Sequence, residues 1–150
     1  MGVASHVLLD DRLLLDHLLG GSSKELRRLV HKRQVCTTGY WYYRLCHAIR
    51  SDSVIGALSG PFLRAETPVR EMAALAMVWL PDEFGLVSLR ELAPSMAEGV
   101  ERHRLTVMSL EALAAGLHLG ADILLAVGSE NPALIAAAET EGLKVKIVKL

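Results

Sequence analysis

Two adjacent aspartates near the start of the chain are the first residues whose types and position suggest chemistry. Asp10 and Asp11 stand between the apolar runs "VLL" and "LLL". Aspartate is unfavourable inside strands and inside helices, so the pair indicates a point where a strand gives way to a helix. Carboxyl groups also follow two later apolar stretches, because Glu111 comes shortly after "LTVM" and Glu130 shortly after "ILLAV".

Carboxylates that are brought together repel, and each raises the pKa of the others unless a cation joins them. Mg²⁺ prefers oxygen ligands and is commonly bound by one or two carboxylates together with water. Such a site can activate water and stabilise charge on a phosphodiester. The pattern therefore predicts a divalent-metal site, provided that the fold brings the acids together. Its ligands would be Asp10, Asp11, Glu111 and Glu130.

A simpler role fits many of the same positions. Asp, Ser and Asn are common helix N-caps, and acids in the first turn of a helix interact favourably with its dipole. Asp10, Ser109 and Asn131 could each be an N-cap and nothing more. The metal-site and capping interpretations both stay open from the sequence alone.

The elements that must position these residues are clearest in the last third of the chain. There the pattern predicts a strand over Leu105–Met108, a helix that ends at Gly120, and a strand in "DILLAVG". A helix beginning at Pro132 and a last strand in "KVKIVKL" follow. Strands that alternate with helices of this length indicate βαβ units and a parallel sheet.

The beginning of the chain fits the same architecture. Val7 to Leu9 predict a short buried strand, and Arg12 to Leu19 predict a helix capped by Asp10 or Asp11. We therefore expect an α/β three-layer sandwich with a central, mainly parallel sheet flanked by helices, in a single domain over 1–150. In such sheets functional groups gather outside the carboxyl ends of the strands.

Composition excludes some classes of protein. The net charge is −1, and the sequence carries no DNA-binding signature. No apolar run reaches the roughly 18 residues of a membrane span, and the N-terminus lacks the basic start of a secretory signal. Cys36 and Cys46 have no C-x-x-C spacing and are expected to be reduced thiols. We expect a cytoplasmic protein.

A basic helix follows the first one. Ser22 and Glu25 form the S-x-x-E pattern of a capping box, which predicts the start of a helix through about Arg33. Its basic side chains could follow an RNA backbone, although a charged run on an amphipathic helix is usually a solvated face. The candidate RNA-binding residues are Arg27, Arg28, Lys32 and Arg33.

Three stretches together resemble the PIN domain family, the fold of the VapC toxins of bacterial toxin–antitoxin pairs. "VLLDDRLLLDHLLG" is similar to the family's opening strand, acid and helix. "SLEALAAGLHLGADILLAVG" is similar to its Asp-Ala-Leu-x-Ala-Ala helix and next strand, and "NPALIAAAETEGLKVKIV" to its closing helix and strand. The resemblance implies a PIN-like fold, Mg²⁺- or Mn²⁺-dependent endoribonuclease activity, an antitoxin partner and a homodimer.

The family's acids can be placed on this sequence one by one. Asp10 matches the first acid, and Glu111 stands where the third is normally an aspartate. Glu130, or Ser129 beside it, is nearest to the fourth, while the helix position of the second holds Tyr43. The resemblance thus implies Asp10, Glu111 and Glu130 as catalytic residues, with Asp11 as a further ligand. Because the helix acid is missing, a PIN-like domain that has lost catalysis and serves as a binding module is the alternative.

Overall fold

The computed structural model describes residues 3–21, 23–50 and 59–150. Within these ranges the chain forms five strands and eight helices. The strands are β1 His6–Leu9, β2 Gln34–Thr37, β3 Gly85–Leu86, β4 Asp122–Ala126 and β5 Val145–Val148. The helices are α1 Asp11–Leu18, α2 Lys24–Val30, α3 Gly39–Arg50, α4 Ser59–Arg64, α5 Thr67–Val78, α6 Leu89–Arg102, α7 Val107–Leu119 and α8 Pro132–Thr140.

All five strands belong to one parallel sheet with the order β3-β2-β1-β4-β5. Leu8 in the central strand is in register with Cys36 of β2 and with Ile123 of β4. The strands on either side of β1 come from distant parts of the chain, so crossover helices connect them. As a consequence, β1 and β4 end side by side at the carboxyl edge of the sheet.

Alternate residues of the central strands serve two separate cores, one on each face of the sheet. Leu8 and Ile123 pack on one face with residues of α7 and α8. Leu9 and Leu124 pack on the other face with residues of α1, α3 and α5. Both faces of the sheet are therefore covered by helices, which confirms the predicted α/β three-layer sandwich with a parallel central sheet.

The predicted strand over Leu105–Met108 is wrong. Thr106 is the N-cap of α7, and its Oγ1 accepts a hydrogen bond from the Ser109 amide at 3.3 Å. The residues that follow are rich in Leu and Ala, which favour a helix once its first turn is capped. Glu111 therefore lies inside a helix near its start and does not follow a strand.

The predicted elements α1, β4, α8 and β5 are confirmed within one or two residues, whereas α2 ends at Val30, three residues before the predicted end. Ser22 of the predicted capping box lies outside the described residues, and α2 is capped by Ser23, whose Oγ accepts from the Leu26 amide. Helix α6 runs through Pro94 as one element. Of the helices in the described ranges, none is long and apolar enough to cross a bilayer.

The pairing of the short edge strand β3 can be tested with one glycine. A Cβ atom added to Gly85 would lie 2.7 Å from Cys36 Sγ, its partner in the register. We expect Gly85→Ala to lower the free energy of unfolding by roughly 1–3 kcal/mol, because the added methyl overpacks the contact. Urea denaturation monitored by tryptophan fluorescence measures the loss.

The matched variant is Cys36→Ala, which removes Sγ and leaves Cβ at 3.5 Å from the added methyl. In that background Gly85→Ala should cost clearly less than in the wild-type protein. An equal cost in both backgrounds would contradict the register of β2 and β3.

Candidate functional site

Asp10 joins the ends of two neighbouring strands. Its side chain is buried, with 2% of the residue exposed. Oδ1 accepts a hydrogen bond from the Leu13 amide at 2.9 Å, which makes Asp10 the N-cap of α1. Oδ2 accepts from the Ala126 amide of β4 at 2.8 Å. The predicted capping role is confirmed, and the same carboxylate also ties β1 to β4.

Burial raises the pKa of Asp10 to about 6, because the charged form is poorly solvated in the interior. The two backbone amides that donate to the carboxylate lower the pKa, but by less than burial raises it. The negative charge of Asp11 raises it further. Asp10 therefore carries a charge at neutral pH in an environment that disfavours that charge.

Asp11 is also buried, with 4% exposed, and its oxygens have unequal surroundings. Oδ1 accepts from the Arg12 amide at 2.9 Å. Oδ2 lies 3.2 Å from Arg44 Nη1 as an ion pair, but no donor reaches it with hydrogen-bond geometry. Burial raises the pKa of Asp11, and the guanidinium of Arg44 opposes that rise.

Both aspartates line a pocket of about 260 Å³ at the carboxyl edge of the sheet. Two arginines line it as well. Arg12 Nη1 donates to the Val127 carbonyl at 2.8 Å and lies 3.4 Å from Ser129 Oγ, while its Nε is buried without a hydrogen-bond partner. The other lining residues are Trp41, Arg44, Met108, Ser109, Leu125, Gly128, Ser129, Asn131 and Leu134.

Neutral polar side chains also line the pocket. Asn131 Nδ2 donates to Ser109 Oγ at 2.8 Å, and Asn131 Oδ1 accepts from the Leu134 amide, which caps α8. Thr106 Oγ1 lies 3.2 Å from Ser109 Oγ. These contacts hold the starts of α7 and α8 together beside the pocket. The predicted cap at Asn131 is confirmed, whereas α7 is capped by Thr106 and not by Ser109.

Glu111 has a different environment from the two aspartates. It is 2% exposed, and its Oε1 accepts from the Tyr40 amide at 2.7 Å, in the first turn of α3. Thr38 Oγ1 accepts from the Trp41 amide at 3.0 Å in the same turn. Glu111 is not among the residues that line the pocket. Its carboxylate satisfies one free amide of the first turn of α3 and lies at the positive end of the helix dipole.

Glu130 is exposed and also lies outside the pocket lining. Its Oε2 accepts from the Gly128 amide at 2.7 Å, within the turn that follows β4. Of the four acids predicted to bind a metal, the structure thus brings two to the pocket wall, namely Asp10 and Asp11.

The pocket lining contains oxygen atoms of the kind that a hard divalent cation prefers. It contains two carboxylates, the hydroxyl groups of Ser109 and Ser129 and the side-chain amide of Asn131. One oxygen, Asp11 Oδ2, lacks a hydrogen bond. Mg²⁺ needs few protein ligands, since it keeps several waters. Across the described part of the chain, no group of three or more His, Cys, Asp or Glu side chains has the arrangement of a metal site.

Three of the candidate RNA-binding residues, Arg28, Lys32 and Arg33, lie near the opposite edge of the sheet. Arg33 precedes β2, and its Nη2 pairs with Asp122, the first residue of β4, at 2.5 Å. The amino ends of parallel strands share one edge, so this ion pair marks the edge away from the pocket. Arg27, Arg28 and Lys32 on and after α2 are exposed, and Arg28 and Lys32 lie close to the segment before β1.

Sequence reasoning missed the two arginines of the pocket. Arg12 directly follows the aspartate pair, and Arg44 directly follows Tyr43, the position where the family's helix acid was expected. Tyr43 itself is 62% exposed. The position of Arg44 beside an expected acid was the available signal, but only the packing of α3 against α1 shows that its guanidinium reaches Asp11.

Comparison with known proteins adds no family assignment. No protein-family model matches this sequence, and no curated protein is significantly similar to it.

The raised pKa of Asp10 predicts a specific pH dependence of stability. Because the pKa is about 6 in the folded protein and 3.8 without the fold, the protonated carboxyl favours folding. Its contribution is full below about pH 4 and is lost as the pH rises through about 6, by roughly 3 kcal/mol at about 1.4 kcal/mol for each pKa unit. Asp10→Asn removes this titration.

The measurement is urea denaturation of both proteins at pH 4 and pH 7, with a chelator present. Asp10→Asn loses stability by an amount that does not vary with pH, because its side-chain NH₂ group would face the backbone N–H of Ala126. We therefore expect the wild-type protein to exceed Asp10→Asn in stability by more at pH 4 than at pH 7. A difference that does not change with pH would contradict the raised pKa.

Proposed function

We propose that this chain is a PIN-like domain, similar to the VapC toxins, that cleaves RNA phosphodiesters with Mg²⁺ or Mn²⁺ at the pocket on the carboxyl edge of the sheet. One observation carries the proposal. Two buried aspartates that follow the central strand line the same pocket as two arginines. This combination offers oxygen ligands for a cation and guanidinium groups for a phosphate.

Asp10 and Asp11 would hold the cation. When bound, the cation lowers the pKa of a water molecule and stabilises negative charge on the phosphate. Asp10 is held in place by the amides of Leu13 and Ala126, so its carboxylate needs no reorganisation. Arg12 is oriented by the Val127 carbonyl and lines the same pocket, so its positive charge would attract a phosphate bound there.

The proposal includes the partners that the resemblance implies. These are an RNA substrate, an antitoxin protein and a second copy of the chain in a homodimer, all in the cytoplasm. Arg33 pairs with the first residue of β4 at the amino edge of the sheet, so an RNA bound at the pocket would contact it only by extending around the sheet.

Asp10→Asn tests the nuclease proposal directly. We expect the purified wild-type protein to cleave single-stranded RNA in the presence of Mn²⁺ and to lose that activity with a chelator. Asp10→Asn should reduce cleavage by at least 100-fold, on the order of what loss of a group essential to the chemistry costs. Cleavage is measured on a labelled RNA by gel electrophoresis.

Asp16→Asn is the matched control, because it neutralises an aspartate on the same helix that does not line the pocket. It should cleave like the wild-type protein. Cleavage that persists at the wild-type rate in Asp10→Asn, or without any divalent cation, would contradict the proposed nuclease.

A PIN-like binding module without catalysis is the second candidate, and the surroundings of Glu111 favour it. The carboxylate that stands at the family's third acid position is occupied by the Tyr40 amide and lies outside the pocket lining. Under this candidate the pocket binds a phosphate-bearing ligand, and the ligand is released unchanged.

Variants of Glu111 separate a capping role from a role in metal binding. Glu111→Gln keeps an oxygen for the Tyr40 amide, so we expect its stability to stay within about 1 kcal/mol of wild type. Glu111→Ala removes the acceptor and should cost roughly 1–2 kcal/mol in urea denaturation. Because Glu111 does not line the pocket, Mn²⁺ affinity should be unchanged in Glu111→Gln. Weaker Mn²⁺ binding in that variant would show that Glu111 is a metal ligand.

A further inference from the structure

The guanidinium of Arg44 lies beside Oδ2 of Asp11, the oxygen that a cation would use. Its Nη1 lies 3.2 Å from Asp11 Oδ2, and no hydrogen bond satisfies that oxygen. The two carboxylates of the pocket therefore already have a positively charged neighbour. A guanidinium is monovalent and attached to the chain, so it compensates the charge of Asp11 without being lost to solvent.

The arginine can also leave this position. Its side chain is 45% exposed, whereas that of Asp11 is 5% exposed. Its other contact, from Nη1 to Met108 Sδ at 3.6 Å, is with a weak acceptor. If Arg44 moved away, water would solvate its guanidinium. The carboxylate of Asp11 would stay in place, because it is buried and accepts from the Arg12 amide.

A divalent ion and a guanidinium repel each other strongly at the short distance that a shared carboxylate imposes. Binding of a metal to Asp11 therefore requires Arg44 to move away from Oδ2. The freed guanidinium remains at the pocket wall, where it can form two parallel hydrogen bonds to a phosphate.

We propose that Arg44 is a resident counter-ion that competes with the divalent cation for Asp11 and is released toward the phosphate of the substrate when the metal binds. This inference rests on the proposed function, since it assigns a regulatory role at the same site. Under this proposal, a single side chain of α3, Arg44, controls the affinity of the pocket for the metal.

The test is a titration of the purified protein with Mn²⁺ alone, in which the electron paramagnetic resonance signal of free Mn²⁺ gives the affinity. Arg44→Met removes the competing charge, and we expect it to bind Mn²⁺ about tenfold more tightly than wild type, on the order of a partly buried ion pair. Arg44→Lys keeps a competing charge and should return the affinity toward that of wild type.

Arg12→Met is the matched control. It removes one positive charge from the same pocket but leaves Arg44 paired with Asp11, so its gain in affinity should be clearly smaller. Equal gains in the two methionine variants would mean that overall pocket charge, and not competition for Asp11, sets the affinity, and would overturn the inference.

The remaining outcomes separate the inference from the proposed function. If wild type and Arg44→Met bind Mn²⁺ equally well, Arg44 does not compete, and the nuclease proposal stands without it. If no variant binds Mn²⁺, both the inference and the proposed metal site fail. Circular dichroism of each variant verifies that the exposed substitution at Arg44 leaves the fold intact.

Discussion

A single buried carboxylate determines the geometry of the pocket. Asp10 accepts one hydrogen bond from the first turn of α1 and one from the last residue of β4. The first contact fixes where the chain turns from strand to helix. The second fixes the end of β4 against the end of β1, so the turn that carries Gly128 and Ser129 comes to the same place. An acid is suited to both contacts, because a carboxylate only accepts hydrogen bonds and both neighbours are amide donors.

This arrangement places charge where the interior disfavours it. Burial raises the pKa of both Asp10 and Asp11, and each structural contact compensates only part of that cost. Arg12 and Arg44 supply the nearby positive charge, so the four charged side chains of the pocket balance without an added ion. The Arg44–Asp11 pair joins a buried carboxylate to a half-exposed guanidinium, since the side chains are 5% and 45% exposed.

Glu111 illustrates how one residue type fits two functions. An acid near the start of a helix can bind a metal, and it can equally accept hydrogen bonds from the free amides of another helix. Here it caps α3, and Thr38 and Glu111 together satisfy successive amides of that helix. Local sequence cannot distinguish the two roles, because both need a carboxylate at the same place along the chain.

The sequence by itself determined the architecture. Short apolar runs followed by caps, glycines and amphipathic stretches specify strands and helices locally, and their alternation specifies a parallel sheet with helices on both faces. It also identified Asp10 as the residue where the first strand meets the first helix. The start of α7 was misjudged as a strand, because "LTVM" suits either element and the Thr106 cap, which lies inside that run, decides it.

Only the tertiary structure decided which acids meet. The order of strands sets Asp10 beside the end of β4, while the packing of α7 turns Glu111 toward α3 and leaves Glu130 at the surface. Arg44 reaches Asp11 because α3 packs against α1, a contact between residues far apart in the chain. Such long-range contacts depend on how whole elements pack against one another. The residues next to each acid in the sequence do not specify that packing.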